Sequence, residues 1–261
     1  MIDALHETNI IRNDGRYKMI EKKMRLDKYL VHTGYGSRSE VQQLIKKKKV
    51  KVNGEVEKRP ECSISPSEAV VTLGEEVVDY KPFYYYILNK PAGYITATED
   101  PRQETVMDLL DPVTKGRSLA PVGRLDKDTE GLLLLTNDGK MAHSLLSPKK
   151  HVDKCYYAEV NGKVVEADIE AFESGVEIGE AKPCMPAGLE IIEANEETSK
   201  VYITIREGKF HQVKRMMKAV GKEVTYLKRV SMGDFKLPEA LAIGEYRQLT
   251  DEELGQLTMN N

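Results

Sequence analysis

Apolar residues recur at helical spacing twice near the start of the chain. Leu26, Tyr29 and Leu30 stand at i, i+3 and i+4, and Val41, Leu44 and Ile45 repeat the interval, which predicts two short helices with one buried stripe each. Gly34-Tyr-Gly36 breaks the first from the second. Ser37-Arg-Ser-Glu40 then has the form of a capping box, in which the serine oxygen accepts from the Glu40 amide and the glutamate reaches back. The pattern changes to alternation at Val50-Lys-Val52, followed by Asn53-Gly54, a strong hairpin signal, and a further strand is expected over Ala69-Val-Val-Thr-Leu73. Downstream, strands are predicted at Phe83–Leu88, Leu132–Leu135, Lys154–Val160 and Val201–Ile205, with Asn161-Gly162 as a turn and Glu193–Glu197 as a loop. Lys209–Val220 reads as a helix burying Phe210, Val213, Met217 and Val220 with His211, Lys214 and Lys218 on another face, and Thr250-Asp-Glu-Glu253 caps a last helix. Helices interspersed irregularly among strands favour α+β over a doubly wound sheet.

Charge divides the chain more sharply than hydropathy does. The 261 residues carry a formal net charge of −3, yet Met24–Pro60 holds ten Lys or Arg against four Asp or Glu. Residues 1–23 add one positive charge, which leaves −10 on the remaining 201 residues. A small basic module joined to a larger acidic one is the simplest organisation, with a boundary near residue 80. Residues 1–23 have no apolar core of signal-peptide length, no apolar run approaches the ~20 residues of a membrane span, and cytoplasmic residence follows as the default. Cys62, Cys155 and Cys184 form no CxxC pair, so unpaired thiols are expected.

The most pointed segment for chemistry is Gly123-Arg-Leu-Asp-Lys-Asp-Thr-Glu-Gly131, a tight polar loop leading into the apolar Leu132–Leu135. A single loop aspartate is most often a turn former. Taken as a pair, Asp126 and Asp128 spell the Asp-x-Asp-x-Thr of haloacid-dehalogenase-type phosphatases, although there the motif ends an apolar strand instead of preceding one. The five histidines show no metal-ligand spacing, and neither GxxxxGK[ST] nor GxGxxG occurs.

Two resemblances sharpen these readings. RLDKYLVHTGYGSRSEVQQLIKKKKVKVNG resembles the S4 RNA-binding domain, and GRLDKDTEGLLLLTNDG resembles the catalytic motif of pseudouridine synthases. Leu88-Asn-Lys-Pro-Ala-Gly93, Lys154-Cys-Tyr156, Glu207–Met216 and Gly244–Thr250 are similar to further segments of that family, in its order, and the set is most similar to the RsuA branch of small-subunit rRNA enzymes. The resemblance implies a disordered extension at 1–23, an S4 domain at 24–80 and a catalytic domain at 81–261 built on a mixed, largely antiparallel sheet with flanking helices.

It also implies a reaction, the isomerisation of a uridine in 16S rRNA (the one called position 516) within an assembling small subunit, needing no cofactor or metal; nothing in the chain resembles a heptad seam, so a monomer is the default. A 23S rRNA target of the RluB, RluE and RluF type, and a non-catalytic rRNA-binding assembly protein, are the alternatives. By resemblance Asp126 is the catalytic group, a role that suits a carboxylate already ionised at neutral pH. Tyr156 packs on the extruded uracil, Lys214 pairs with Asp126, and Arg124 fills the gap the nucleotide leaves. His211 and Gln212 read as structural or backbone-binding. The basic set Arg25, Lys28, Arg38, Lys46, Lys47, Lys48, Lys49 and Lys51 would contact RNA phosphates, and Lys154 and Arg215 would extend a basic cleft in the larger domain.

Overall fold

The computed structural model describes residues 9–13, 16–20, 23–147 and 152–258. They separate into two compact units, the first taking residues up to Pro82 together with Asp111–Ser118 and the second the remainder. In chain order the first unit contains β1 (Asn9–Asn13), β2 (Arg16–Ile20), β3 (Met24–Arg25), α1 (Leu26–His32), α2 (Arg38–Lys46), β4 (Val50–Val52), β5 (Glu55–Val56), β6 (Ser63–Ile64), β7 (Val71–Leu73), β8 (Glu76–Val77) and α3 (Pro112–Gly116).

The two amphipathic stripes do what their spacing predicts. Leu26, Tyr29 and Leu30 of α1 and Val41 and Ile45 of α2 close on Val50, Ile64 and Val71, below a four-stranded sheet of order β5-β4-β7-β8. The Ser37–Glu40 capping box is formed. Asn53 and Gly54 take φ of 52° and 86°, the two positive values a type I′ hairpin demands. Two features differ from the sequence reading. Within the extension expected to be disordered, Asn9–Asn13 and Arg16–Ile20 pair as an antiparallel β1-β2 ladder, with Asp-Gly, a favoured hairpin dipeptide, in the sequence between the strands. Asp111–Ser118, expected inside the larger domain, groups with the first unit because Gly34 meets it backbone to backbone. A Cβ on Gly34 would strike the Val113 carbonyl, and Arg117 Nε donates to Thr33 O at 3.3 Å.

The second unit contains β9 (Tyr85–Lys90), β10 (Ala120–Pro121), β11 (Glu130–Thr136), α4 (Gly139–Leu146), β12 (Lys154–Asn161), α5 (Glu166–Ser174), β13 (Gly188–Ala194), β14 (Thr198–Ile205), α6 (Gln212–Ala219), β15 (Glu223–Met232), β16 (Phe235–Lys236), β17 (Tyr246–Gln248) and α7 (Asp251–Thr258). Its sheet runs β13-β14-β12-β15-β11-β9-β17, with β10 beside β11 and β16 beside β15. The pairs are antiparallel except β11 with β15. This is the α+β architecture expected.

The uninterrupted leucines of β11 are explained by burial on both sides. Leu133 and Leu135 join Phe172 of α5 and Val213, Met216 and Met217 of α6, while Leu132 and Leu134 join Leu145 of α4 and Leu257 of α7. Each such side chain contributes about 2 kcal/mol of transfer free energy, so a polar substitution on either face is costly. The strict alternation of β12 buries Lys154, Tyr156, Ala158 and Val160 on one face alone. Where β11 begins, Gly131 lies opposite Arg229 of β15 at φ +98°, and any Cβ there would collide with the Arg229 carbonyl. That glycine lets the loop of residues 123–130 enter the sheet beside β15.

Candidate active site

The ends of β11, β12, β14 and β15 and the start of α6 surround a cleft of about 470 Å³ in the second unit. Arg124, Asp126, Tyr156 and Lys214 all line it, although they come from stretches of chain up to 90 residues apart.

The loop bearing Asp126 is held from below by Lys90, the last residue of β9. Its ammonium is fully buried and donates to the carbonyls of Pro91, Lys127 and Thr129 at 3.0, 3.2 and 2.9 Å. Burial pulls its pKa down to about 8, with the charges of Asp128, Glu130 and Asp126 acting in the opposite direction. Thr96 grips the other side of the loop, its hydroxyl donating to Leu125 O at 2.7 Å and accepting from the Leu125 amide. Gly93 N donates to Lys127 O at 2.8 Å. A carboxylate on a loop fastened this densely has its direction set before any ligand arrives.

Around Asp126 stand two nitrogen groups. Lys214 Nζ lies 3.5 Å from one carboxylate oxygen and His211 Nε2 lies 3.6 Å from the other. The expected pairing of Lys214 with Asp126 is therefore shared, because Lys214 makes its short contact, 2.6 Å, with Asp128. Burial acts to raise the Asp128 carboxyl, but the hydrogen bond and charge of Lys214 outweigh it and hold it below the usual range. An ammonium bridging the two aspartates takes the place where a phosphatase pair would need a divalent cation. No group of three or more potential metal ligands occurs among the described residues.

Lys214 reaches this position from the first turn of α6, which starts at Gln212 and not at Lys209 as the apolar periodicity predicts. His211 adopts φ 47°, and a non-glycine residue in that left-handed region costs on the order of 1 kcal/mol. The turn throws Phe210 out of the core. It is 69% exposed and stacked on the His211 ring at 3.8 Å, so the predicted burial of Phe210 is corrected. Gln212 is buried and structural, donating to Glu207 at 3.0 Å and accepting from the Lys209 amide. Arg215 turns away to Glu180 and the Ile178 carbonyl, and does not extend the cleft. Tyr156 is nearly buried, whereas Arg124 is exposed on the wall with no hydrogen-bond partner among the described residues.

Two buried cations, one lining the cleft and one beneath its loop, carried little weight in the sequence. Arg229 is buried in the phase of β15 that also buries Leu227, and a cation in an apolar phase was the available signal. Lys90 ends an apolar strand, again as a buried cation.

In the first unit, the expected RNA-binding cations fall into two groups. Lys28, Lys46, Lys47, Lys48 and Lys49 are exposed, Lys51 is half-buried, and none has a carboxylate partner among the described residues. Arg25 and Arg38 are committed to the fully buried Asp27, at 2.8 and 3.5 Å. Arg25 above all, with Gln42 and the Lys28 amide, holds the Asp27 carboxyl far below its usual range against the effect of burial. The lysine run leaves α2 through a Schellman ending, Lys49 N to Leu44 O at 3.1 Å, with Lys48 at φ 60° where glycine is usual. Replacing Lys46–Lys49 together with glutamine is expected to leave the melting temperature near wild type. The log–log salt slope of RNA binding should fall by about 0.7 for each phosphate that the run no longer neutralises. An unchanged slope in filter binding would remove the run from the interface.

Comparison with known proteins gives the following. The RNA pseudouridylate synthase family model matches residues 84–219, and the S4 domain model matches residues 24–70. An uncharacterized RNA pseudouridine synthase, YtzG, of Bacillus subtilis (strain 168) is 51% identical over 88% of this chain and 97% of its own length. Ribosomal small subunit pseudouridine synthase A of Yersinia pestis is 39% identical over 90% of this chain and 98% of its own, and that of Escherichia coli (strain K12) is 37% identical over 90% and 100%. A solved structure described as a pseudouridylate synthase superposes with a TM-score of 0.64 at 38% identity, covering 90% of this chain and all of that one.

Proposed function

From the premise that the chain belongs to the RNA pseudouridylate synthase family of isomerases, with an S4 domain preceding the synthase region, we propose that it converts one uridine of 16S rRNA to pseudouridine, with Asp126 as the catalytic group. The observation that carries this reading is the convergence of Asp126, Tyr156, Lys214 and Arg124 on one cleft. The small-subunit target rests on relatives whose names specify that subunit and which match nine-tenths of the chain.

The chemistry asks the cleft to hold a flipped nucleotide, break its N1–C1′ bond and rejoin C1′ to C5 of the freed uracil, with no net redox change. Tyr156 offers the base an aromatic face, worth roughly 1 to 3 kcal/mol in stacking. Asp126 stands at the polar end, where Lys214 and His211 set its orientation from either side. Arg124, exposed on the wall and unpaired among the described residues, is free to enter the helical gap and offset an unstacking cost of a few kcal/mol. The S4 module, read as residues 24–80, supplies phosphate affinity through its lysine run while residues 81–261 carry the chemistry.

Tritium release from 5-tritiated uridine in 16S and 23S rRNA tests the proposal, using both naked transcripts and partly assembled subunits. The expected result is release from 16S at one position. Release from 23S alone would move the target, and release from neither would favour a binding protein that has kept the fold.

A further inference from the structure

The floor of the cleft holds a second cationic centre, distinct from the one that orients Asp126. Arg229 stands opposite Tyr156 in the β12–β15 ladder and is 1% exposed. Its Nε donates to Leu132 O at 2.8 Å, but its Nη2 is buried with no hydrogen-bond partner among the described residues. Lys154 lies two residues before Tyr156 on the same face of β12, is 9% exposed, and donates to Val152 O at 3.0 Å. Neither cation is ion-paired among the described residues. The pKa of Lys154 is lowered first by burial and then by the charge of Arg229. A third group completes the set. Thr129, two residues before the Gly131 that faces Arg229, has a buried hydroxyl with no partner among the described residues, and it lines the same cleft.

Two uncompensated positive charges and two unmet polar atoms on one buried surface are costly unless a ligand supplies what is missing. A neutral carbonyl would satisfy the free Nη2 donor but leave the charges repelling. A singly charged anion with several oxygens would accept from Arg229, Lys154 and Thr129, offset one of the two positive charges and screen their repulsion. We propose that Lys154, Arg229 and the Thr129 hydroxyl form a subsite for one phosphodiester of the RNA strand beside the uridine that enters the cleft. The proposal rests on the RNA-modifying reading above. A phosphate fixed on this floor would anchor the backbone on the Tyr156 side, leaving the ribose of the same nucleotide to face Asp126.

The test uses the full chain and a 16S rRNA transcript, with binding titrated against salt in parallel with tritium release. The variants are Lys154→Met, Arg229→Gln, their double, and Arg229→Lys, which keeps the charge and a donor toward Leu132 O. With one phosphate fewer held by the protein, the salt slope should drop by about 0.7 in the double variant, with KM raised roughly tenfold or more, and Arg229→Lys should restore most of the slope. Wild-type slopes in every folded variant would overturn the subsite, whether kcat falls, as a contact to the base would produce, or stays intact, as a purely structural pair would. If Arg229→Gln fails to fold by circular dichroism, Lys154→Met alone decides the matter through its slope. Failure of the wild-type chain to bind or modify rRNA would sink the broader reading, a result distinct from variants that keep the wild-type slope.

Discussion

Asp126→Asn is expected to eliminate tritium release, by roughly a thousandfold or more in kcat, while leaving RNA affinity at or above the wild-type level. The amide has the shape of the carboxylate, and the loop that carries it is fastened through Lys90 and Thr96 by backbone carbonyls and an amide that the substitution does not touch. What disappears is the negative charge and the basic oxygen, the two properties by which a carboxylate attacks carbon or removes a proton. Removing a group on which the chemical step depends typically costs several orders of magnitude in kcat with binding preserved. Affinity should not fall, because Lys214 and His211 would then face phosphate-bearing RNA with one fewer anion between them. Asp128→Asn is the control that gives the result meaning. Asp128 is 73% exposed on its side chain and holds the short bond from Lys214. Its loss releases Lys214 toward Asp126, and the expected change in rate is within about tenfold. Equal losses from the two variants would point to a paired-aspartate mechanism. Residual activity of Asp126→Asn within about tenfold of wild type would place the chemistry elsewhere.

The loop of residues 123–131 stood out in the sequence because a tight turn, a carboxylate and an apolar strand are contiguous along the chain, and the role proposed for it came from resemblance. Tyr156 was singled out by resemblance, and the alternation of β12 accounts only for the face it takes. Lys214 was placed by motif, but its division between two aspartates was not. That division depends on contacts of 2.6 and 3.5 Å across more than eighty residues of chain, and no spacing in the sequence encodes which carboxylate is nearer. The same limit hid Arg229. Its importance comes from the parallel pairing of β11 with β15, which joins residues about a hundred positions apart and leaves no periodic trace beyond one cation in an apolar phase. Phe210 was misplaced because hydrophobic periodicity runs through a backbone reversal that only His211's φ discloses. The pairing of Arg25 and Arg38 with Asp27 was not legible because a buried aspartate between them is indistinguishable, in sequence, from an exposed one.

Lys90 leads to the second large effect, a contribution to stability that rises with pH. The side chain is fully buried, and its pKa is drawn by desolvation to about 8 from the ordinary 10.5. Below pH 8 both folded and unfolded chains hold the proton, so the folded state bears the whole cost of a buried ammonium. Between about pH 8 and 10.5 the unfolded chain binds more protons than the folded one, and stability therefore increases with pH through that window. Integrated over the shift, the gain is on the order of 3 kcal/mol. Lys90→Met should abolish this rise, so the difference in urea midpoint between the two proteins should change across about pH 7 to 10, and a constant difference would refute the assignment. Activity should move the other way. A neutral amine donates two hydrogen bonds where the ammonium donates three, so deprotonation frees one of the carbonyls of Pro91, Lys127 and Thr129 just as it relieves the buried charge. The loop that aims Asp126 then loosens, and a displacement near 1 Å is enough to cost about a hundredfold in rate. Lys90→Met should show that loss in kcat at every pH, with KM little changed, because the lysine touches the loop and not the RNA. Keeping a charge in the core at neutral pH therefore sacrifices stability for the direction of a single carboxylate.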